Sequence, residues 1–272
     1  MLSAQVVLDL LKNSRKAKEI IRSDYRATKT DMPEIYLNLK TSFTFANTWS
    51  FEFFSNIYGN TSVISHELLT NKEYPTTLSA YLDTEYQCSS LNPIMCHWQC
   101  NPQNDSVPDN IHLPQQFQNW FYQNPLVKNP FWRWIIFGPK EGGTLLHSDI
   151  ADTSAWNYLV TGEKLWVFSH LAFHKTKNIF ETEAVFVDFV STAIDIFYIY
   201  QRAGDFVWVP SKWVHQVIYN MPSISISENI VNKENINIVK TFYKNTDVQR
   251  YKALCLIEKY CQQDNNKETR FA

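Results

Sequence analysis

The sequence predicts a mainly β fold, a barrel or jelly roll, with helices flanking it at both ends of the chain. From residue 131 the sequence breaks into about eight short β-type runs separated by Gly, Pro and Asn residues. Apolar residues before and after that region recur at helical spacing. With 272 residues, 44% of them hydrophobic, the chain is large enough for one packed core of this kind.

The predicted strands are short and rich in β-branched and aromatic residues. They span residues 132–137, 144–150, 164–169, 184–190, 193–200, 206–209, 214–219 and 223–230. These runs predict a β core over residues 131–232. Residues 1–130 are then a helical and mixed region that packs on the core, and residues 233–272 form C-terminal helices.

The helical predictions rest on spacing and on breaker residues. Apolar residues within 3–26 predict one long N-terminal helix, and those within 234–262 predict the C-terminal helices. Residues 49–58 predict a short helix that ends at Gly59. The segment 91–130 is rich in Asn, Gln and Pro, which predicts loops with one short helix near 114–122.

Charge and hydropathy indicate which partners and which cellular compartment are expected. The net charge of -2 gives no overall basic field for nucleic acid. A basic N-terminal segment mildly favours RNA, and it contains Lys12, Arg15, Lys16, Lys18, Arg22, Arg26 and Lys29. No apolar run approaches the roughly 20 residues that span a bilayer, so no membrane association is expected. No signal-peptide pattern is present, and the acidic residues Asp9, Glu19 and Asp24 disfavour a transit peptide.

The five cysteines point to an intracellular protein, nuclear or cytoplasmic. An odd number of cysteines without an export signal is typical of reduced thiols. Cys88, Cys96, His97 and Cys100 could form a zinc cluster, but their spacing fits no paired CxxC arrangement. Buried or incidental cysteines are the favoured interpretation.

Two histidines and an aspartate form a candidate metal site. In His147-Ser148-Asp149 the two outer residues share one face of a strand, because strand side chains alternate. His215, on a later predicted strand, supplies a third ligand. Two histidines and one carboxylate make the facial triad of non-haem iron(II) oxygenases. The alternatives without a metal are a core histidine at His215 and a capped surface histidine at His147. The other five histidines are expected to be structural.

Lys164 is a candidate cation for a co-substrate carboxylate. It begins an otherwise apolar strand, directly after Gly162-Glu163. Such a lysine is either a solvated strand end or an inward charge that needs an anionic partner. The residues alone favour the solvated strand end.

Three motifs together resemble the JmjC-domain oxygenases, which are iron(II)- and 2-oxoglutarate-dependent enzymes on a double-stranded β-helix of the cupin type. The motifs are GPxxGGTLLHSD at 138–149, TSAWNxLxxGxKxW at 153–166 and GDxVxVPSxWxHQV at 204–217. They are most similar to the small lysyl-hydroxylase and arginine-demethylase-like branch. The resemblance covers residues 131–232 in detail, with a weaker extension at 49–63.

Carried over by position, the resemblance assigns two sets of residues. It implies iron at His147, Asp149 and His215. It implies 2-oxoglutarate contacts from Thr144, Asn157, Lys164 and Ser227, and a packing role for Trp156. One departure is Glu228, where relatives often have Gln or His, and it puts the choice of substrate in doubt.

The implied activity uses Fe(II), 2-oxoglutarate and O2 and releases succinate and CO2. We favour hydroxylation of a protein side chain, lysyl above others. The alternatives are N-methyl-lysine or N-methyl-arginine demethylation, hydroxylation of a tRNA base, and a non-catalytic JmjC-like interaction module. The resemblance also implies C-terminal helices that pack on the barrel or on a second copy, which would give a homodimer.

Overall fold

The computed structural model describes residues 1–25, 31–85, 92–99, 111–123, 127–128, 130–170, 178–193 and 195–268. Within them thirteen strands form two sheets. The strands are β1 Ala17–Glu19, β2 Glu34–Tyr36, β3 Ser62–Glu67, β4 Glu73–Thr77, β5 Ile94–Gln99, β6 Arg133–Gly138, β7 Gly143–His147, β8 Ser154–Thr161, β9 Glu163–Ser169, β10 Ile196–Arg202, β11 Phe206–Val209, β12 Val214–Tyr219 and β13 Ser223–Ile230.

Seven α-helices flank the sheets in the described part of the chain. They are α1 Ala4–Asn13, α2 Phe51–Tyr58, α3 Leu78–Ala80, α4 Trp120–Gln123, α5 Glu183–Thr192, α6 Ile236–Lys244 and α7 Val248–Glu268. Short 3-10 segments lie at Asn38–Thr48, Gln115–Phe117 and Ile150–Asp152, and a π turn lies at Tyr81–Glu85. None of these helices is long and apolar enough to cross a membrane.

The two sheets have the antiparallel pairing of a jelly roll. Sheet A has the order β1-β10-β9-β12-β7, and sheet B has the order β2-β11-β8-β13-β6-β5-β3-β4. Only the short edge pair β1–β10 is parallel among the described strand pairs. The predicted fold class, mainly β with flanking helices, is confirmed, and its barrel takes the form of two facing sheets.

Apolar side chains fill the space between and outside the sheets. Trp166 and Val217 of sheet A meet Ala155 and Val207 of sheet B in the central core. The outer face of sheet A packs against α1 and α5, and the outer face of sheet B packs against the segment 38–58. Helices α6 and α7 form a further cluster beside α4. The polar cavity described below lies between the sheets.

The single N-terminal helix predicted over 3–26 is wrong in its second half. Helix α1 ends at Asn13, where Ser14 adopts an extended conformation and its N–H still bonds to Leu11 O. Residues Ala17–Glu19 then pair with β10 instead of continuing the helix. The backbone N–H of Ile20 donates to Tyr198 O, so its apolar side chain follows sheet pairing.

The strand predicted at 184–190 is also wrong, because this segment lies within helix α5. Its valines and phenylalanines favour a strand by propensity. Thr182 caps the helix by accepting a hydrogen bond from Val185 N, and Phe186 and Phe189 bury one face against sheet A. Tertiary burial of residues three apart therefore overrides the local preference.

Loops were predicted where sheet B in fact continues. Strand β5 lies inside the predicted loop region 91–130 and pairs with β3 and β6. Strand β8, which the prediction omitted, is central to sheet B. The predicted helix near 114–122 is a 3-10 turn followed by α4. The strands before residue 130 thus extend the sheets of the β core.

Candidate active site

The two candidate histidine ligands face each other across neighbouring strands. His147 ends β7 and His215 lies near the start of β12, and their Cα atoms are direct antiparallel partners. Their ring centroids are 4.3 Å apart. With Asp149, two residues beyond β7, the ligand atoms of all three side chains lie within 4.8 Å of one another. The fold therefore brings together the His-x-Asp pair and the histidine on a later strand that the sequence predicted as the third ligand.

Backbone carbonyls orient both imidazole rings. His147 Nδ1 lies 2.7 Å from Leu145 O, and His215 Nδ1 lies 3.2 Å from Trp213 O. A carbonyl only accepts, so each Nδ1 carries a proton and each Nε2 is the ring nitrogen that a metal could bind. A metal-binding histidine is commonly fixed in this way.

A strained turn presents Asp149. Ala151 and Asp152, which follow it, adopt left-handed backbone conformations with φ of 54° and 55°. The turn is closed by hydrogen bonds from Asp152 N to Asp149 O and from Thr153 Oγ1 to Ile150 O. Non-glycine residues in this conformation are held by their surroundings and concentrate at functional sites.

Burial dominates the electrostatics of the triad. It lowers the pKa of His215 well below its usual range, with help from His147. It raises the pKa of Asp149, while His147 and a hydrogen bond from Asn229 act in the opposite direction. Asp149 Oδ2 is buried without a hydrogen-bond partner among the described residues. A cation at this point would neutralise the carboxylate and use the neutral imidazole.

The triad lies at one part of a cavity of about 270 Å³ between the two sheets. Lys164 lines the same cavity and is only 1% exposed. Its Nζ donates to Ser225 Oγ at 2.6 Å and lies 4.4 Å from the ring centroid of Tyr219. Burial lowers the pKa of this ammonium well below its ordinary value. Lys164 is therefore an inward lysine, and the solvated alternative is excluded.

The other three predicted co-substrate residues also line this cavity. Thr144 Oγ1 is buried and has no hydrogen-bond partner among the described residues. Asn157 Oδ1 accepts a hydrogen bond from Gln201 Nε2 at 3.1 Å. Ser227 Oγ donates to Trp156 O at 2.8 Å, and Trp156 itself is fully buried in the core behind it.

The donor set fits a metal ion and a dianionic ligand. Two imidazole nitrogens and a carboxylate suit iron(II) and leave other coordination positions open. The cavity also contains a buried lysine and an unsatisfied hydroxyl, Lys164 and Thr144, which suit a carboxylate because a carboxylate only accepts hydrogen bonds. The two sets share one cavity, so a ligand could reach both.

Tyr219 and His97 are cavity residues that the sequence analysis did not anticipate. Tyr219 could have been found, because it lies four residues after His215 on one strand and so shares its face. The sequence does not indicate that His97 reaches a cavity, because the Asn-, Gln- and Pro-rich segment 91–130 predicts loops where β5 lies.

Glu228 does not line the cavity. It is 2% exposed and forms a buried ion pair with Arg133, with Nη2 to Oε2 at 2.8 Å. Asn119 Nδ2 also donates to it at 2.9 Å. The concern that this position selects the substrate is therefore not supported by its contacts, which are with the structural core.

The zinc cluster, which the sequence analysis disfavours, is only partly within the described residues. Cys96 lies in the core on the outer face of sheet B, whereas His97 faces the cavity. Consecutive strand residues point in opposite directions, so this pair cannot share one metal from the strand. Cys88 and Cys100 lie outside the described residues.

Comparison with known families agrees with this geometry. Residues 134–230 match the family model described as JmjC domain, hydroxylase. This part of the chain is a JmjC domain. The triad, Lys164 and the three polar cavity residues all lie within the matched segment. The resemblance predicted from the three motifs is confirmed.

Curated relatives carry the same domain. The chain is 27% identical over 170 residues to the 2-oxoglutarate and iron-dependent oxygenase JMJD4 of Danio rerio, covering 57% of the chain and 40% of the relative. It is 29% identical over 152 residues to the bifunctional arginine demethylase and lysyl-hydroxylase psr-1 of Caenorhabditis elegans, covering 49% and 38%. It is 26% identical over 240 residues to the lysine-specific demethylase JMJ21 of Arabidopsis thaliana, covering 79% and 24%.

The chain spans less than half the length of these three relatives. The shared region is the JmjC domain and its surroundings, so the comparison identifies the domain.

Proposed function

We propose that this protein is an Fe(II)- and 2-oxoglutarate-dependent dioxygenase. The observation that carries the proposal is one cavity that contains both the His147-Asp149-His215 triad and a buried lysine. Relatives named as 2-oxoglutarate and iron-dependent oxygenases support it.

The chain's own residues would hold, orient and shield the reactants. His147, Asp149 and His215 would bind the iron, which when bound supplies dioxygen activation coupled to oxidation of 2-oxoglutarate to succinate and CO2. Lys164 would neutralise the distal carboxylate, and Thr144 would donate a hydrogen bond to it. Asn157 and Ser227 would provide the polar wall.

Apolar cavity walls would exclude water from the reaction. Trp166, Val209 and Val217 line the cavity between the polar groups and are nearly fully buried. Inside such walls an ion pair is stronger than in water.

We propose a protein side chain, lysyl above others, as the substrate. Its support is the naming of one set of relatives as lysyl-hydroxylases and of several as lysine or arginine demethylases. Demethylation is the second candidate, because psr-1 is named for both activities. Mass spectrometry of extract proteins incubated with enzyme, iron(II) and 2-oxoglutarate distinguishes them by gain of one oxygen or loss of one methylene.

RNA is not favoured by the N-terminal charges. Arg22 pairs with the buried Asp205 at 2.8 Å, Lys18 lies 3.6 Å from Asp195, and Lys16 Nζ donates to Ser191 O. Three of the basic side chains therefore have partners within the protein. Arg26 and Lys29 lie outside the described residues.

We also propose an intracellular location, nuclear or cytoplasmic.

The direct test is the anaerobic complex with iron(II) and 2-oxoglutarate. The wild type should give a weak visible charge-transfer band and turn over 2-oxoglutarate when air is admitted. His147→Ala and His215→Ala should lose both while remaining folded, because each removes one of three protein ligands. His112→Ala, at an exposed histidine, is the matched control and should keep both. Absence of the band in the wild type would favour the non-catalytic module.

A further inference from the structure

His97 places an imidazole in the candidate active site from a strand outside the matched JmjC segment. Strand β5 alternates between two environments: Cys96 and Trp98 face the outer core, whereas Met95 and His97 face inward. His97 lines the cavity together with Lys164 and Thr144. Its Nε2 is buried and has no hydrogen-bond partner among the described residues.

Strand register places His97 at the level of the Lys164 ammonium. Lys164 Nζ bonds to Ser225, Ser225 is the Cα partner of Ile136, and Ile136 is the Cα partner of His97. Ser225 and His97 are therefore on one rung of sheet B, two strand spacings or about 10 Å apart at Cα. His215, by contrast, lies four residues before Tyr219, the Cα partner of Lys164. His97 is thus at the lysine end of the cavity.

The imidazole is neutral, so it offers one N–H. Burial lowers the pKa of His97 to about 3, with smaller contributions from His66, Lys164 and His147 in that order. The Lys164 charge acts on it more strongly than His147 does, in agreement with the register. A neutral imidazole donates from one ring nitrogen, and a carboxylate only accepts.

We propose that His97 is a further co-substrate-binding residue, whose Nε2–H donates to the same carboxylate that Lys164 neutralises. The inference rests on the proposed 2-oxoglutarate-dependent function and extends the binding site beyond the residues that the JmjC motifs supply. Two buried polar atoms that the described protein leaves unsatisfied, Thr144 Oγ1 and His97 Nε2, then gain the same partner.

The edge contact with His66 supports a fixed orientation for this ring. His66, on the neighbouring strand β3, meets His97 edge to face with ring centroids 4.6 Å apart. A ring held on one side by a second ring loses little freedom when it binds a ligand. His66 itself does not line the cavity, so it acts on the co-substrate only through His97.

The test compares two ligands that differ only at the distal carboxylate. Calorimetry measures 2-oxoglutarate and 2-oxopentanoate binding to the full chain loaded with Mn(II), which is inert to turnover. His97→Leu should weaken 2-oxoglutarate binding about tenfold or more, the usual loss for a hydrogen bond to a charged group. Binding of 2-oxopentanoate and of Mn(II) should change little. His97→Gln, which keeps a donor near the Nε2 position, should retain most of the affinity.

The controls separate this inference from the proposed function. His112→Leu makes the same chemical change at an exposed histidine and should bind both ligands like the wild type. A wild type that fails to bind 2-oxoglutarate overturns both proposals. A wild type that binds it, with an unchanged His97→Leu variant or an equal loss for both ligands, overturns only the role of His97.

A second measurement does not depend on the folding of the leucine variant. In 15N-histidine-labelled wild type loaded with Zn(II), His97 is assigned by its loss in His97→Gln. Adding 2-oxoglutarate should produce a hydrogen-bonded Nε2–H resonance shifted downfield, whereas 2-oxopentanoate should not. Identical spectra with the two ligands would contradict the proposal.

Discussion

Lys164 shows at the scale of one residue how burial creates a binding site. Its ammonium has a hydroxyl, Ser225 Oγ, and an aromatic face, Tyr219, for partners, and both are neutral. Burying a charge without a counter-charge costs free energy, and an incoming carboxylate relieves that cost. The buried Lys164 ammonium is therefore expected to bind an incoming carboxylate.

We expect Lys164→Ala to weaken 2-oxoglutarate binding while leaving metal binding intact. Removing one partner of a buried ion pair typically costs about 3–5 kcal/mol, a factor of order 10²–10⁴ in affinity. Lys164→Arg should rescue only partly, because a planar guanidinium must fit a site shaped for an ammonium. Calorimetric titration of both variants decides it. An unchanged dissociation constant for Lys164→Ala would remove this lysine from the site.

The lowered pKa of Lys164 predicts a pH dependence of co-substrate binding. The protein without co-substrate loses the ammonium proton at a lower pH than usual, because burial disfavours the charge. A carboxylate binds the ammonium form, so 2-oxoglutarate affinity should fall as pH rises through the lowered pKa and should be level below it. Lys164→Arg stays charged and should lose this dependence. The same slope in the arginine variant would assign the titration to another group.

At the residue scale the sequence contained most of the site. His147 and Asp149 share a strand face through their i, i+2 spacing, and His215 was placed on a later strand. The orientation of Lys164 was not accessible from the residues alone, because a lysine at a strand start is usually solvated. His97 was inaccessible because its side chain reaches the cavity only through the pairing of β5 with β6.

At the scale of elements, glycine allows β7 and β12 to approach closely enough to pair the two histidines. Gly143 has φ of 152° and is the Cα partner of Ile218. A Cβ at Gly143 would lie 2.0 Å from Val217 O, which is backbone and cannot move aside cheaply. The same two strands carry His147 and His215 at their other paired end.

We expect Gly143→Ala to destabilise the protein by more than about 1 kcal/mol, because alanine neither tolerates this φ nor fits the space. It should also weaken Mn(II) binding by separating the two histidines. Gly204→Ala is the matched control: its φ is 88°, but a Cβ there meets nothing within 4 Å. Urea unfolding and metal titration of both variants test this. Equal losses in the two would show that conformation, not strand contact, sets the cost.

The bounds of strands that are buried along their whole length were predicted correctly from the sequence. The elements whose conformation depends on contacts with distant residues were not. Strands β11, β12 and β13 have the bounds that the sequence predicts, because Gly, Pro and Asn residues delimit buried apolar runs. Helix α5 has the composition of a strand and is helical because its two phenylalanines pack on sheet A. The edge strand β1 is three residues long and exists only by pairing with β10.

At the scale of the whole molecule, the C-terminal helices support the turn that presents Asp149. Ala151, within that turn, shares a cluster with Ile236 and Val239 of α6 and with Leu254 and Ile257 of α7. Each of these residues is nearly fully buried. We therefore expect metal binding in the cavity to depend on a segment outside the matched JmjC domain.

Helix α7 also has two exposed apolar side chains. Val248 and Leu256 are 56% and 52% exposed, whereas Leu254 and Ile257 are fully buried. Leu254 and Ile257 pack against other residues of the same chain. The exposed residues are where a second copy would dock if the protein forms the homodimer that the resemblance implies.

We expect deletion of residues 247–272 to lower stability and, if the homodimer exists, to abolish it; two point variants separate these effects. Leu254→Ala should cost about 2–5 kcal/mol, because it empties a buried site in the cluster around Ala151. It should also weaken metal binding, since the turn after Asp149 loses support. Leu256→Ala should leave the unfolding free energy of the monomer within about 0.5 kcal/mol of wild type, because it is exposed. Sedimentation then tests the dimer. A shift toward monomer in Leu256→Ala alone would place a second copy on this side of α7. If wild type and Leu256→Ala sediment identically, and only Leu254→Ala lowers the melting temperature, then α7 packs only on its own chain.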